Sequence, residues 1–165
     1  MMAYLKFFHR ILLKNNPLTV ILFITSRCNA RCKMCFYSGR PGENELSLEE
    51  IRRISRTMPP FPWLIITGGE PFLREDLPGI CEIFCKQNNV QEITIPTNGF
   101  MPDTIETITE KILQQCRRTQ FRVNLSIDDL YEKHDEIRGV KGGFKKLLVT
   151  YEKLRSLRKK YERLE

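Results

Sequence analysis

The chain has 165 residues and a mass of 19.5 kDa, and its 27 Lys and Arg against 20 Asp and Glu give a net charge of +7 and a pI near 9.2. Hydrophobic residues make up 41% and charged residues 28%, which is typical of a globular domain and excludes disordered and collagen-like chains. The length favours one domain, is too short for a complete (β/α)8 barrel of about 250 residues, and holds no apolar run near the ~20 residues of a membrane-spanning helix.

The first 17 residues form a separate predicted segment. Apolar side chains alternate there with basic ones, as in an amphipathic helix that ends at Asn15-Asn16-Pro17. We expect this helix to pack on the end of the sheet, and the alternative is a weak membrane-surface contact through residues 1–14. The segment lacks the apolar region and cleavage site of a secretory signal, so we expect a cytoplasmic protein with reduced thiols.

From residue 18 onward one unit repeats, which consists of a short apolar run, a turn and a helical pattern. The runs begin near Thr19, Trp63, Glu92 and Phe121, and each predicts a buried strand. The last three starts are evenly spaced, whereas the first connection carries an insertion. Strands that alternate with helices predict four βα units in a parallel sheet, with every strand-to-helix loop on one face.

Each connection carries a helix signature. Ser47 to Glu50 form a capping box that begins the first helix, with Leu46 and Ile51 placed as a hydrophobic staple. The other helices are predicted from apolar stripes, which are Leu77, Ile80, Cys81, Phe84 and Cys85, then Ile105, Ile108, Ile112, Leu113 and Cys116, and finally Phe144, Leu147, Leu148, Tyr151 and Leu154.

The six cysteines divide into two classes. Those on the helical stripes are predicted to be core residues, since a buried free cysteine behaves as a small hydrophobe. Cys28, Cys32 and Cys35 lie instead in the loop after the first strand, among basic neighbours that we expect to lower the thiol pKa. A structural zinc site or a [4Fe–4S] cluster normally takes four ligands, and no fourth Cys or His lies nearby. A cluster held by three thiolates would leave one iron open to a ligand.

Polar and glycine-containing segments follow the other strands, and a parallel sheet would bring them to the same face as the cysteines. They comprise Gly68, Gly69 and Glu70 after the second strand, Asn98 after the third, and Ser126, Asp128 and Arg138 after the fourth. The glycines would let a ligand approach the backbone closely, and the Arg138 guanidinium suits a carboxylate. The structural alternatives are tight turns for the glycines and Asn98, a helix cap for Asp128, and a solvated charge for Arg138.

These motifs resemble those of the radical S-adenosylmethionine (radical SAM) family. The matching stretches run in the family's order over residues 18–148 and are Cys28-x3-Cys32-x2-Cys35, Gly68-Gly69-Glu70-Pro71, Thr97-Asn98-Gly99, Ser126-Ile127-Asp128 and His134 to Gly139. The resemblance implies an α/β fold, a partial (β/α) barrel of the radical SAM type, in which residues 18–165 supply four βα units of about six. Later units are therefore expected to be missing, which would leave the edge of the fourth strand exposed.

The resemblance also implies roles for these residues. Cys28, Cys32 and Cys35 would hold three irons of a [4Fe–4S] cluster, and the amino and carboxylate groups of S-adenosylmethionine would chelate the fourth. The expected cofactor contacts are the backbone around Gly68, Gly69 and Glu70, the ribose contacts Ser126 and Asp128, the methionine-carboxylate contact Arg138, and also Asn98 and Met34. Met34 stands where the family often has an aromatic residue.

The implied function is that of a radical SAM enzyme. A reduced cluster would cleave S-adenosylmethionine to a 5′-deoxyadenosyl radical, which would abstract hydrogen from a substrate. The run from Ser126 to Phe144 is most similar to the branch that matures peptides and cofactors. A reductant such as flavodoxin or ferredoxin is the implied partner, and peptide, small molecule and RNA stay open as substrates. The alternatives are a non-catalytic iron–sulfur or zinc module for structure or electron transfer, and a nucleic-acid binder suggested by the basic pI.

Overall fold

The computed structural model of the protein describes residues 17–36 and 45–165. The predicted N-terminal amphipathic segment, apart from Pro17, lies outside the described residues. Among the helices that are described, none combines the length and the apolar character needed to cross a bilayer.

Four parallel strands form one sheet in the order of the sequence. They are β1 (Thr19–Thr25), β2 (Trp63–Gly68), β3 (Glu92–Thr97) and β4 (Gln120–Leu125). Because neighbours in the sequence are also neighbours in the sheet, each connection is a single βα crossover, and the carboxyl ends of all strands meet at one edge. The predicted α/β class and the four βα units are confirmed.

The described residues contain five α-helices, which are α1 (Leu48–Thr57), α2 (Leu77–Gln87), α3 (Pro102–Gln115), α4 (Tyr131–Arg138) and α5 (Gly143–Lys160). The predicted capping box begins α1, since the Glu50 carboxylate accepts from the Ser47 backbone N–H at 2.8 Å and the Ser47 hydroxyl accepts from the Glu50 N–H in return. The sequence did not predict α4, because His134 is its only buried residue and the helix therefore has no apolar stripe.

The core lies between the helices and one face of the sheet. Strand order never reverses, so right-handed crossovers place the helices on the same face. Alternate strand residues such as Leu64, Ile66 and Ile93 are buried against that helical layer. The opposite face carries no helix among the described residues, and there Ile21 and Phe23 of β1 are 58% and 49% exposed.

The apolar stripe predicted for α5 is wrong at two positions. Leu148 and Tyr151 are 44% and 48% exposed, whereas Thr150 is buried and donates a hydrogen bond from its hydroxyl to the Gly99 carbonyl at 2.6 Å. Hydropathy could not identify Thr150 as a core residue, because its burial depends on a hydrogen-bond partner from a distant loop.

The three helical cysteines are not equivalent. Cys81 and Cys116 are buried, as predicted. Cys85 is only partly buried, and its sulfur lies 3.3 Å from the Thr119 hydroxyl. A hydrogen bond with the Cys116 thiol lowers the pKa of Cys85, although burial opposes this shift.

The last residues of the chain extend the sheet beside β4. The Phe121 N–H donates to the Arg163 carbonyl at 2.9 Å, and the Glu165 N–H donates to the Phe121 carbonyl at 2.8 Å. Leu164 thereby forms a parallel bridge with Phe121. The prediction of an exposed β4 edge is therefore wrong for the first half of that strand.

Candidate functional site

The predicted site residues all line one cavity at the carboxyl ends of the strands, with a volume of about 890 Å³. From the predicted set, its lining comprises Cys28, Cys32, Cys35, Met34, Gly68, Gly69, Glu70, Asn98, Ser126, Asp128 and Arg138. The loops after all four strands contribute, which follows from a parallel sheet whose carboxyl ends share one edge.

The cysteine loop (residues 26–36) places three thiols at the cavity. Cys28 and Cys35 are exposed and Cys32 is partly buried, so all three can reach a ligand in the cavity. Within residues 17–36 and 45–165, no three His, Cys, Asp or Glu side chains converge on one point as the ligands of a single metal ion do. All three thiols line the same cavity, so the loop offers three donors of the kind that hold an iron–sulfur cluster.

The pKa of the Cys28 thiol runs against the prediction. Burial raises it above the ordinary value, and nearby negative charges add to the rise. Two of the three basic neighbours that suggested a lowered pKa form ion pairs elsewhere, Arg27 with Glu45 at 3.1 Å and Lys33 with Glu136 at 2.5 Å. Metal binding, rather than these basic residues, would therefore have to displace the proton of Cys28.

Glu70 joins the loops after β2 and β3. The residue is 1% exposed, and its carboxylate accepts hydrogen bonds from the Thr97 hydroxyl at 2.8 Å, the Asn98 N–H at 2.8 Å and the Phe72 N–H at 3.2 Å. Burial raises the pKa of Glu70, and the three hydrogen bonds oppose that rise. The side chain therefore fixes the wall of the cavity.

Gly68 and Gly69 are required by the packing of two loops against each other. A Cβ on Gly68, whose φ is +141°, would lie 2.2 Å from the Thr25 carbonyl oxygen, and one on Gly69 would lie 2.1 Å from that of Arg27. The Gly69 and Glu70 N–H groups each donate across the same contact at 2.8 Å, to Thr25 and Arg27. The close approach that needs glycine is thus already present within the protein, between the β2 loop and the cysteine loop.

Asn98 links the loop after β3 to the cysteine loop. Its amide N–H donates to the Asn29 side-chain oxygen at 2.7 Å, while its own oxygen accepts from the Phe100 N–H at 2.9 Å. The residue is 6% exposed, so this link is fixed inside the wall of the cavity.

Asp128 and Arg138 form an ion pair at the cavity wall. Arg138 Nε lies 2.5 Å from one Asp128 oxygen, Nη2 donates to the other at 3.0 Å, and the side chains are 14% and 23% exposed for Arg138 and Asp128. Arg138 Nη1 also donates to the sulfur of Cys32 at 3.6 Å. The structural alternative for Asp128, a helix cap, does not apply, because the N-cap of α4 is Leu130. Ser126, which directly follows β4, lines the same cavity as this pair.

The sequence reasoning missed Arg74, a buried residue that joins the end of β1 to the segment before α1. It is 5% exposed, its Nη1 donates to the carbonyls of Ile24 and Leu46 at 2.9 Å each, and its Nη2 pairs with Asp76 at 2.5 Å. Its burial could have been inferred from its place directly after the apolar stretch Pro-Phe-Leu, where a solvated charge is not expected.

His134 was quoted only as part of a motif, and the structure places it in an aromatic pocket. It is fully buried between Phe100 and Phe144, at ring-centroid distances of 6.1 and 5.6 Å. Its Nδ1 accepts a long hydrogen bond, 3.4 Å, from the Asp128 N–H. The histidine therefore supports the segment that carries Asp128.

The sequence model of the Radical SAM superfamily matches residues 22–161. The chain is 31% identical over 135 residues to Fe-coproporphyrin III synthase of Methanosarcina barkeri, which covers 79% of this chain and 32% of the relative. It is 40% identical over 121 residues to a probable GTP 3′,8-cyclase of Archaeoglobus fulgidus, which covers 70% of this chain and 38% of the relative. The chain thus spans about a third of the length of these curated relatives.

Solved structures show a similar fold. Streptococcus suis SuiB bound to S-adenosylmethionine superimposes with a TM-score of 0.64 at 20% identity, over 93% of this chain and 36% of that chain. SuiB bound to its precursor peptide SuiA gives a TM-score of 0.63 at 20% identity, over 85% of this chain and 31% of that chain. The likeness concerns the fold, and it confirms the expected partial (β/α) barrel.

Proposed function

Because the chain belongs to the radical SAM superfamily, we propose that Cys28, Cys32 and Cys35 hold a [4Fe–4S] cluster and that the adjoining cavity takes S-adenosylmethionine. The family is one of enzymes, and it implies this cluster and this cofactor. The observation that carries the proposal is the single cavity that the three thiols share with the loops after every other strand.

A cluster held by Cys28, Cys32 and Cys35 would supply the single electron for reductive cleavage of S-adenosylmethionine, and the chemistry gained would be hydrogen abstraction from a substrate. The residues of this chain bind and orient the cofactor and limit access of water. Glu70 and Asn98 tie three of the loops together, and Arg138 ties the fourth to the cysteine loop.

The proposed contacts of the cofactor keep the roles that the resemblance implies. Ser126 and Asp128 would contact the ribose, and Met34 would lie beside the adenine. Arg138 would have to share its guanidinium between Asp128 and the methionine carboxylate, since Nη2 already donates to Asp128 and Nε lies 2.5 Å from it. The backbone around Gly68, Gly69 and Glu70 would contact the amino group.

For the substrate we favour a small organic molecule over a peptide or RNA. The relatives with 31% and 40% identity are named for Fe-coproporphyrin III and GTP. Two basic residues of the C-terminal helix pair within the protein, Lys153 with Glu106 at 2.6 Å and Lys160 with Glu110 at 2.7 Å, which weakens the nucleic-acid alternative suggested by the basic pI. The proposed partner is a flavodoxin or ferredoxin reductant, and the proposed location is the cytoplasm, where thiols stay reduced.

Anaerobic reconstitution with iron and sulfide, followed by electron paramagnetic resonance (EPR), tests the proposal. The reduced protein should show a [4Fe–4S]+ signal that changes when S-adenosylmethionine is added. Cys32→Ala should abolish cluster binding. Cys85→Ala, which removes a thiol of α2 that does not line the cavity, should retain the cluster.

The same experiment separates the second candidate, a non-catalytic metal module. Such a module would bind zinc in place of iron, or would give a cluster signal that is insensitive to S-adenosylmethionine. Either result, or equal cluster loss in Cys32→Ala and Cys85→Ala, would overturn the proposed function.

A further inference from the structure

The cysteine loop is fastened to the C-terminus of α4. The Arg31 N–H donates to the Arg138 carbonyl at 3.0 Å, and the Lys33 N–H donates to the Ile137 carbonyl at 2.9 Å. The last carbonyls of a helix have no partner within the helix, so they are free to accept these donors. The two bonds flank Cys32, whose backbone is therefore held on both sides.

Gly139 shows how closely the loop and the helix end approach each other. It ends α4 in a left-handed conformation with φ at +65°, and a Cβ at this position would lie 2.7 Å from the Arg31 carbonyl oxygen. A side chain here would push the loop away from the helix. The contact between the cysteine loop and the end of α4 therefore depends on a glycine at position 139.

The side chain of Arg138 contacts Cys32 itself. Nη1 donates to the Cys32 sulfur at 3.6 Å, while Nη2 donates to Asp128 and Nε lies within ion-pair distance of the same carboxylate. The ion pair fixes the plane of the guanidinium, and with 14% of its side chain exposed Arg138 is only partly screened by solvent. A cationic donor is therefore held at one sulfur of the proposed cluster.

We propose that Arg138 is a positioning residue that holds Cys32 and raises the reduction potential of the cluster bound there, with Asp128 setting how much of its charge the cluster senses. This inference rests on the proposed function. Reduction adds a negative charge to the cluster, and a hydrogen bond with positive charge at the sulfur stabilises the reduced state. Asp128 offsets part of that charge, so its removal should act in the opposite direction to the removal of Arg138.

The test is an EPR-monitored redox titration of the reconstituted protein without S-adenosylmethionine, so that no cofactor carboxylate competes for Arg138. Arg138→Gln should lower the reduction equilibrium constant about tenfold, which is 59 mV for one electron. Arg138→Lys should give a smaller decrease, since it keeps the charge but loses the planar fork. Asp128→Asn should shift the potential in the positive direction.

Lys33→Gln is the matched control, because it removes one positive charge from the same loop. Its ion pair with Glu136 is exposed, with 62% and 69% of the two side chains accessible, so solvent screens the charge. Lys33→Gln should leave the potential unchanged. An equal shift in Lys33→Gln and Arg138→Gln would mean that net charge, and not Arg138, sets the potential.

The outcomes separate this inference from the proposed function. A wild-type protein that takes up no cluster contradicts the proposed function itself. A cluster that binds but keeps its potential in Arg138→Gln contradicts only the role of Arg138. If Arg138→Gln fails to retain the cluster, Asp128→Asn decides, and an unchanged or more negative potential in that variant overturns the inference.

Discussion

Glu70 accepts three hydrogen bonds while only 1% of the residue is exposed. Replacing it with Gln keeps the size of the side chain but puts an N–H group where an oxygen now accepts. Glu70→Gln should therefore leave at least one buried donor without a partner, and should lower the free energy of unfolding by about 1–3 kcal/mol. Denaturant titration followed by circular dichroism measures this loss.

Glu75→Gln provides the control, because it makes the same chemical change at an exposed position five residues along the chain. A surface substitution of this kind should alter stability by no more than about 0.5 kcal/mol. Equal stability of the Glu70 and Glu75 variants would show that the buried carboxylate does not fasten the loops.

At the scale of the elements, the contact between the β2 loop and the cysteine loop depends on glycine. A Cβ on Gly69 would lie 2.1 Å from a backbone oxygen, whereas one on Gly79 in α2 would lie 3.5 Å from the Leu48 side chain, an ordinary contact. Gly69→Ala should therefore separate the two loops, reduce the iron retained after reconstitution and destabilise the fold. Iron content per chain and denaturant unfolding are the measurements.

Gly79→Ala should instead leave iron retention unchanged and stabilise α2 by about 0.5–1 kcal/mol, since alanine loses less conformational entropy in a helix. If Gly69→Ala retained iron and stability to the same degree as Gly79→Ala, the packing role assigned to Gly69 would be refuted.

Local patterns were enough to predict the strands and the start of α1. The capping box of Ser47 and Glu50 depends on four consecutive residues, so the sequence contains it completely. The helix α4 could not be predicted in this way, because it buries only His134 and is held by contacts at its ends. The α5 stripe was placed partly on Leu148 and Tyr151, since hydropathy cannot show that the Thr150 hydroxyl has a buried acceptor.

The location of the candidate site could also be predicted, because a parallel sheet brings its strand ends to one edge. The partners of individual groups could not. The contact of Arg138 with Cys32 joins distant segments, and the raised pKa of the Cys28 thiol depends on the assembled loops. The location of the site thus followed from the sheet topology, whereas the hydrogen bonds and pKa values of its residues could be known only from the tertiary structure.

At the scale of the whole molecule, the C-terminal residues close part of the β4 edge. Leu164 is 2% exposed and forms the bridge with Phe121. Leu164→Ala should lower the free energy of unfolding by about 2–5 kcal/mol, as for other buried leucines. It should also increase aggregation, because a weakened C-terminal segment uncovers unpaired groups of β4. Denaturant unfolding and light scattering measure the two effects.

Leu148→Ala is the matched control, since Leu148 is 44% exposed on α5. Its effect on stability should stay within about 0.5 kcal/mol, and its light scattering should match that of the wild type. Comparable destabilisation by both substitutions would contradict a specific role for the C-terminal bridge.

The bond between Arg138 and Cys32 joins residues that are 106 positions apart. During synthesis at roughly 5–20 residues per second, the cysteines leave the ribosome roughly 5–20 seconds before α4 exists to hold them. Until then the loop has neither its helix-end acceptors nor its cationic donor. A cluster bound by these cysteines would therefore gain the support of Arg138 and of the helix end only after α4 has been synthesised.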